Sequence, residues 1–117
     1  LTRKNILDEV GWFDEDYFLD GEDIDLSWKI KEKEYKNIYY PKVNILHLKG
    51  ASKGKNKKVN NVTLKDKLKY RMAGVNSMEI FFRKRLWHKY PLILNLIIIA
   101  GIRFLKIMRF IKIVIFG

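Results

Sequence analysis

Seven carboxylates lie close together in residues 10–26 of this 117-residue chain, in a segment that also carries four large aromatic side chains. The carboxylates are Asp14, Glu15, Asp16, Asp20, Glu22, Asp23 and Asp25, and the aromatics are Trp12, Phe13, Tyr17 and Phe18. A carboxylate can take a proton from a hydroxyl group or accept a hydrogen bond from one. This density of acids among aromatic residues suggests a functional site.

The spacing of these acids excludes a calcium loop of the EF-hand type. Such a loop requires glycine at its sixth position, an oxygen ligand at its third and glutamate at its twelfth. If Gly21 takes the sixth position, Phe18 falls at the third and Ser27 at the twelfth. Both residues are of the wrong type, so the acids have another role.

Three further motifs follow the first part of this segment in a fixed order. The full series is Val10-Gly11-x-Phe13-Asp14-Glu15, Glu22-Asp23-x-Asp25-Leu26-Ser27, Tyr39-Tyr40-Pro41 and His47-x-x-Gly50-x-Ser52. It resembles the second half of the catalytic domain of family 2 glycosyltransferases, in particular the rhamnosyltransferase-like branch, over about residues 3–53. Two residues depart from the family pattern: Trp12 replaces the second glycine of a Gly-Gly-Phe-Asp-Glu segment, and Lys29 replaces an arginine.

The resemblance implies roles for the acids. Transfer from a nucleotide sugar requires a base that takes the proton of the acceptor hydroxyl, and the family uses the second acid of the Glu-Asp pair. This acid is Asp23, with Glu22 as its catalytic neighbour. The residues assigned to acceptor binding are Trp12, Asp14, Glu15 and Asp25. Without the motifs, Glu22 and Asp23 fit equally well as acids that stabilise a helix N-terminus.

A divalent cation, Mn²⁺ or Mg²⁺, is expected at the donor diphosphate. Family 2 enzymes often place a histidine ligand about as far after the base as His47 lies after Asp23. Neutral imidazole is an acceptable ligand for Mn²⁺, although a lone histidine at a strand end more often bonds to backbone. Ser52 and Lys53 are predicted to contact phosphate oxygens, and Lys53 fits a solvated lysine-rich loop equally well.

The charge of the chain is divided between its two parts. Residues 1–40 contain eleven acidic and six basic residues, whereas residues 41–117 contain two acidic and eighteen basic ones. The basic residues are interleaved with Ile, Leu and Phe, which favours an anionic lipid surface over nucleic acid as partner. The chain has no cysteine, so disulfides and thiolate metal sites are excluded.

Local patterns in the first half predict both helices and strands. Residues 5–10 indicate a short helix or a turn before Gly11. Residues 22–34 alternate in hydrophobicity like a strand, but their Lys and Glu content and the family resemblance favour a helix. Residues 38–40 and 43–47 predict two strands separated by Pro41. Phe13 and Phe18 are expected in the core.

The second half is predicted to be helical. Thr63 and Asp66 outline a capping box, and a break is expected near Gly74 before another helix. Residues 91–117 predict an amphipathic helix. Its basic residues recur every third position and cover half the circumference at about 100° per residue. They are Arg103, Lys106, Arg109 and Lys112, and the opposite half holds Ile93, Ile97, Ala100, Phe104, Ile107, Met108, Ile111 and Ile115.

This tail pattern is typical of a helix that lies in a membrane interface with its basic residues toward the headgroups. Two alternatives remain open: a core helix with solvated lysines, and a tilted transmembrane span with snorkelling basic residues. The apolar run 92–102 is too short to cross a bilayer alone.

Together, these patterns predict an α/β fold. Residues 1–57 would form the C-terminal part of a GT-A catalytic domain, residues 58–90 a helical connector and residues 91–117 a membrane-associated amphipathic helix. The expected enzyme is an inverting transferase at the cytoplasmic face of the cell membrane, with a nucleotide-sugar donor, a lipid-linked or polysaccharide acceptor and no nucleic acid. The alternative is a non-catalytic basic module that binds a membrane or nucleic acid. Family enzymes hold the donor in an N-terminal half, so this chain alone is expected to be inactive.

Overall fold

The computed structural model describes residues 2–44 and 63–116, and the regular structure in these residues is helical. The helices are α1 (Lys4–Val10), α2 (Glu22–Glu32), α3 (Leu64–Phe81) and α4 (Leu92–Phe116). A π-helical turn, Phe82–Leu86, and a short 3₁₀ turn, Trp87–Lys89, connect α3 to α4.

The predicted α/β fold is wrong, because neither described stretch contains a strand and the helices do not form a GT-A-like unit. Ile38, Tyr39 and Tyr40 have strand-forming side chains, but they are 81%, 88% and 62% exposed. Such residues form a strand only when a neighbouring segment pairs with them and covers one face. Of the second predicted strand, Val43 and Asn44 are not in a strand, and residues 45–47 lie outside the described residues.

Helix α2 confirms the choice of helix over strand in residues 22–34. Leu26 and Ile30 are buried one turn apart, on the side that also buries Asp25. The ring of Trp28 packs edge-on against Phe81, with 5.4 Å between the ring centroids. Burial therefore follows the helical period, and the alternation of apolar residues did not determine the structure.

Gly21 permits the sharp entry into α2 and its close packing on α3. Its φ is +100°, and a Cβ placed on it would lie 2.9 Å from Cβ of Ser77. Gly11, with φ of +77°, has no atom within 4 Å of the same position. Both glycines adopt backbone conformations that L-residues avoid, but only Gly21 is also crowded.

We expect Gly21→Ala to lower the free energy of unfolding by about 3 kcal/mol, because it adds a steric clash to backbone strain. Gly11→Ala is the matched control, and it should cost only about 1 kcal/mol, from strain alone. Chemical denaturation followed by circular dichroism measures both. Equal losses in the two variants would show that the contact with Ser77 does not limit the packing.

Helix α3 begins at the predicted capping box and continues past the predicted break. The Thr63 hydroxyl oxygen accepts a hydrogen bond from the Asp66 backbone N–H at 3.2 Å. The break expected near Gly74 is wrong, because α3 runs unbroken from Leu64 to Phe81. A single glycine costs a helix only about 1 kcal/mol, and the burial of Ala73 and Val75 on either side of Gly74 offsets that cost.

Helices α3 and α4 pack as an antiparallel hairpin. Phe82 at the end of α3 lies in one buried cluster with Ile99 and Ile102, while Glu79, one turn earlier, pairs with Lys106 farther along α4. The Asn95 side chain is 2% exposed, and its amide donates to the backbone oxygens of Trp87 and Tyr90 at 2.8 and 3.1 Å. These bonds hold the connecting turn against the start of α4.

The opposite face of α4 is left uncovered by the described residues. Ile93, Phe104 and Ile115, all from the predicted apolar half, are 75%, 62% and 64% exposed. The side that contacts α3 carries Asn95, Ile99, Ile102 and Ile113. The apolar half of the predicted helix is therefore exposed within the described residues, while the half that carries the basic residues packs on α3 through these buried side chains. The choice between an interfacial helix and a core helix stays a prediction. Among the helices described, none is both long enough and apolar enough to cross a membrane.

Candidate functional site

Asp25 is the most deeply buried charged group among the described residues, with 0% exposure. Arg85 binds it in bidentate fashion, with Nε 2.7 Å from Oδ1 and the terminal nitrogen Nη2 3.0 Å from Oδ2. The Tyr17 hydroxyl donates to Oδ1 at 3.2 Å, and Lys29 Nζ lies 4.0 Å from Oδ2. Burial of the hydroxyl, together with the nearby Asp25 charge, raises the pKa of Tyr17. Asp25 therefore ties α2 to the π-helical turn.

Lys84, the residue before Arg85, binds the acidic loop that precedes α2. Its Nζ lies 2.5 Å from an oxygen of Asp14 and 2.5 Å from an oxygen of Asp16. The hydrogen bond from Lys84 lowers the pKa of Asp14, and the bonds to Asp14 and Asp16 raise the pKa of Lys84. Asp14, predicted to bind the acceptor, is thus an ionised partner of a lysine.

Asp23 and Asp25 lie on different sides of the first turn of α2. Positions two apart on a helix differ by about 200°, so burial of Asp25 directs Asp23 outward. The Asp23 carboxylate is exposed and accepts a hydrogen bond from the Ile24 backbone N–H at 2.8 Å. It forms no ion pair with any residue that the structure describes. The predicted base is therefore accessible to a substrate.

Glu22, its predicted catalytic neighbour, is partly buried at the start of α2. One of its carboxylate oxygens, Oε2, is buried and has no hydrogen-bond partner among the described residues. Buried carboxylate oxygens are normally hydrogen-bonded, so this atom has unused capacity to accept a bond beside Asp23.

Trp12 is 45% exposed and has a φ of +54°. Its indole N–H donates to Asp8 Oδ1 at 2.9 Å, and its backbone oxygen accepts a hydrogen bond from Lys29. This left-handed conformation favours glycine, which is the residue that the resembling family has here. Both departures from the family pattern, Trp12 and Lys29, thus lie in direct contact.

Glu15 was predicted to bind the acceptor, and Phe13 and Phe18 were predicted to lie in the core. Glu15 is exposed, as a contact residue requires. The placement of Phe13 and Phe18 in the core is wrong, because they are 54% and 46% exposed. Tyr17 takes the buried position instead, since its hydroxyl has a partner in Asp25. Phe18 packs against Tyr70, with ring centroids 5.5 Å apart.

The predicted donor-side residues, His47, Ser52 and Lys53, lie outside the described residues. Within residues 2–44 and 63–116, no group of three or more His, Cys, Asp or Glu side chains could hold a metal ion. The described residues therefore do not by themselves form a cation site, and the expected Mn²⁺ or Mg²⁺ stays a prediction.

Lys84 and Arg85 hold the acidic segment to the helical hairpin, and neither was among the predicted site residues. The sequence signal for them was global: a net charge of −5 in residues 1–40 and of +16 in residues 41–117 favours ion pairs between the two parts. Which basic residues form those pairs depends on the π-helical turn, which has no clear sequence signature.

Comparison with known proteins gives partial matches to curated relatives. The chain is 36% identical over 55 residues to the N-acetylglucosaminyl-diphospho-decaprenol L-rhamnosyltransferases of Mycobacterium tuberculosis strains CDC 1551 / Oshkosh and ATCC 25618 / H37Rv. The match covers 47% of this chain and 18% of each relative, so the chain spans under a fifth of their length. No family model and no solved structure matches. The similarity is thus to part of a glycosyltransferase.

Proposed function

We propose that this protein is a glycosyltransferase that moves a sugar from a nucleotide-sugar donor to a lipid-linked or polysaccharide acceptor. The observation that supports this most is the first turn of α2, where Asp23 is exposed while Asp25, two residues on, is buried against Arg85. A general base needs access to a hydroxyl and a fixed backbone. The partial similarity to rhamnosyltransferases supplies the reaction class.

In the proposed reaction, the acceptor oxygen forms a bond to the anomeric carbon while the bond from that carbon to the diphosphate oxygen breaks. The electron pair of the broken bond leaves with the nucleoside diphosphate, and the hydroxyl proton passes to the Asp23 carboxylate. Trp12 and Glu15 remain proposed contacts for the acceptor sugar, since both are exposed. Asp14 and Asp25 act on the site indirectly, through Lys84 and Arg85.

The relatives' name supports a finer proposal for the substrates. It specifies an acceptor sugar on a diphospho-polyprenol and a rhamnosyl donor group. We propose a similar acceptor, a sugar carried on a lipid diphosphate, and a deoxyhexose donor. The reaction would then take place at the cytoplasmic face of the membrane. A divalent cation held by His47, with Ser52 and Lys53 at the donor diphosphate, belongs to the same proposal.

The proposal is tested by incubating the full-length gene product with nucleotide sugars and a polyprenyl-diphosphate-linked sugar, followed by mass spectrometry of the lipid. The acceptor should gain the mass of one sugar residue, with a deoxyhexose donor giving the highest yield. If no donor and acceptor gave a gain in mass, the proposal of glycosyl transfer would be contradicted. If only a hexose donor gave a gain in mass, the proposed reaction would stand and the proposed deoxyhexose donor would be wrong.

A further inference from the structure

A second candidate site lies between α3 and α4, away from the acids. An open groove of about 830 Å³ is lined by three cations, Arg71 from α3 and Arg109 and Lys112 from α4. The rest of its lining is apolar and includes Val75 and Leu105. No carboxylate lines it within the described residues.

These three cations differ from the basic residues of the hairpin that pair with Glu79. Lys106 Nζ lies 2.7 Å from Glu79, and Arg83 lies 2.8 Å from the same carboxylate. Arg71, Arg109 and Lys112 form no ion pair with any described residue. Residues 45–62 supply no acid either, because they contain neither Asp nor Glu. The groove therefore has positive charge available for an anion.

The groove adjoins the uncovered apolar face of α4. Ile111, 42% exposed, also lines the groove, and Phe104 and Ile115 continue the face on the side away from α3. A ligand that fits both surfaces has an anionic group and a hydrocarbon part. Nucleic acid would match the cations but not the apolar face.

We propose that this groove binds the phosphate headgroup of an anionic membrane lipid while the apolar face of α4 lies among the acyl chains. In this arrangement α4 is parallel to the membrane and α3 lies on its far side, in water. The packing of α3 on α4 argues against a span, since crossing would take Glu79 and the lysines of α3 into hydrocarbon. The inference does not depend on sugar transfer.

The test is sedimentation of the purified chain with vesicles of phosphatidylcholine, with and without phosphatidylglycerol. Binding should require the anionic lipid and weaken with salt. A variant with Arg71, Arg109 and Lys112 changed to Gln should bind about a hundredfold more weakly, because each basic residue near an anionic surface contributes roughly fivefold. These side chains have no described ion pair, so circular dichroism should show an unchanged helix content.

The matched control changes three exposed lysines outside the helical hairpin, Lys31, Lys36 and Lys42, to Gln. It removes the same charge and should keep nearly all of the binding. If both variants lost vesicle binding equally, the net charge of the chain and not the groove would determine binding. Tighter vesicle binding after loss of the groove cations would indicate a span, and binding to an oligonucleotide with none to vesicles would indicate nucleic acid. Each result contradicts the proposal.

Discussion

Asp23→Asn in the full-length gene product should lower the rate of sugar transfer by about 10² to 10⁴ and leave donor affinity nearly unchanged. The amide has the shape of the carboxylate but cannot take the proton of the acceptor hydroxyl. Because Asp23 is exposed and forms no ion pair among the described residues, its replacement should not disturb folding. Turnover and donor affinity are measured on the same preparation.

Glu34→Gln is a suitable control, since it also neutralises an exposed acid, just beyond the end of α2. It should retain full activity. If Asp23→Asn kept more than about a tenth of the wild-type rate, Asp23 would not be the base. If donor affinity fell as much as the rate, Asp23 would bind the donor and would not act as the base.

Arg85→Met should give the largest loss of stability among single substitutions in the site. It leaves the buried Asp25 carboxylate without its bidentate partner, and removal of one member of a buried pair costs about 3 to 5 kcal/mol. Arg85 retains 20% exposure of its side chain, so we expect the lower end of that range. The free energy of unfolding, from chemical denaturation of the chain, is the measurement.

Two comparisons separate this effect from a general loss of charge. Lys84→Met removes a neighbouring but more exposed cation, and it should cost about 1 kcal/mol or less. The double variant Asp25→Leu/Arg85→Met should be more stable than Arg85→Met alone, because it leaves no buried charge unpaired. If the double variant lost as much free energy of unfolding as Asp25→Leu and Arg85→Met lose in sum, the ion pair would not be the source of the effect.

The helices were largely predictable from local signals. The capping box at Thr63 depends on neighbours within one turn, and its hydrogen bond is present in the folded chain. The break near Gly74 was not predictable in the same way. Packing of α3 against α4 and against Asp20 stabilises the helix beyond the local cost of glycine.

The strands were mispredicted because residues with high strand propensity form a strand only when a neighbouring segment pairs with them. Ile38, Tyr39 and Tyr40 have the side chains of a strand, but no described segment pairs with them. The resemblance to an α/β enzyme reinforced that expectation and led to the wrong fold class. Local composition could not show whether a neighbouring strand exists.

The acidic segment is visible in the sequence, but the contacts of its individual residues depend on the tertiary structure. Asp23 and Asp25 have similar sequence surroundings, yet one is exposed and the other is fully buried. Arg85 lies sixty residues from Asp25, and only the folded chain brings them together. The spacing of the acids therefore could not predict that Asp25 is buried and Asp23 is exposed.

The configuration of the anomeric carbon in the product tests the central claim most directly. If Asp23 activates the acceptor hydroxyl for a single displacement of the nucleoside diphosphate, the transferred sugar must have the configuration opposite to that in the donor. Nuclear magnetic resonance of the product formed by the full-length gene product gives this configuration. Inversion is the predicted result, and retention would contradict the assignment of Asp23 as the base of a single displacement.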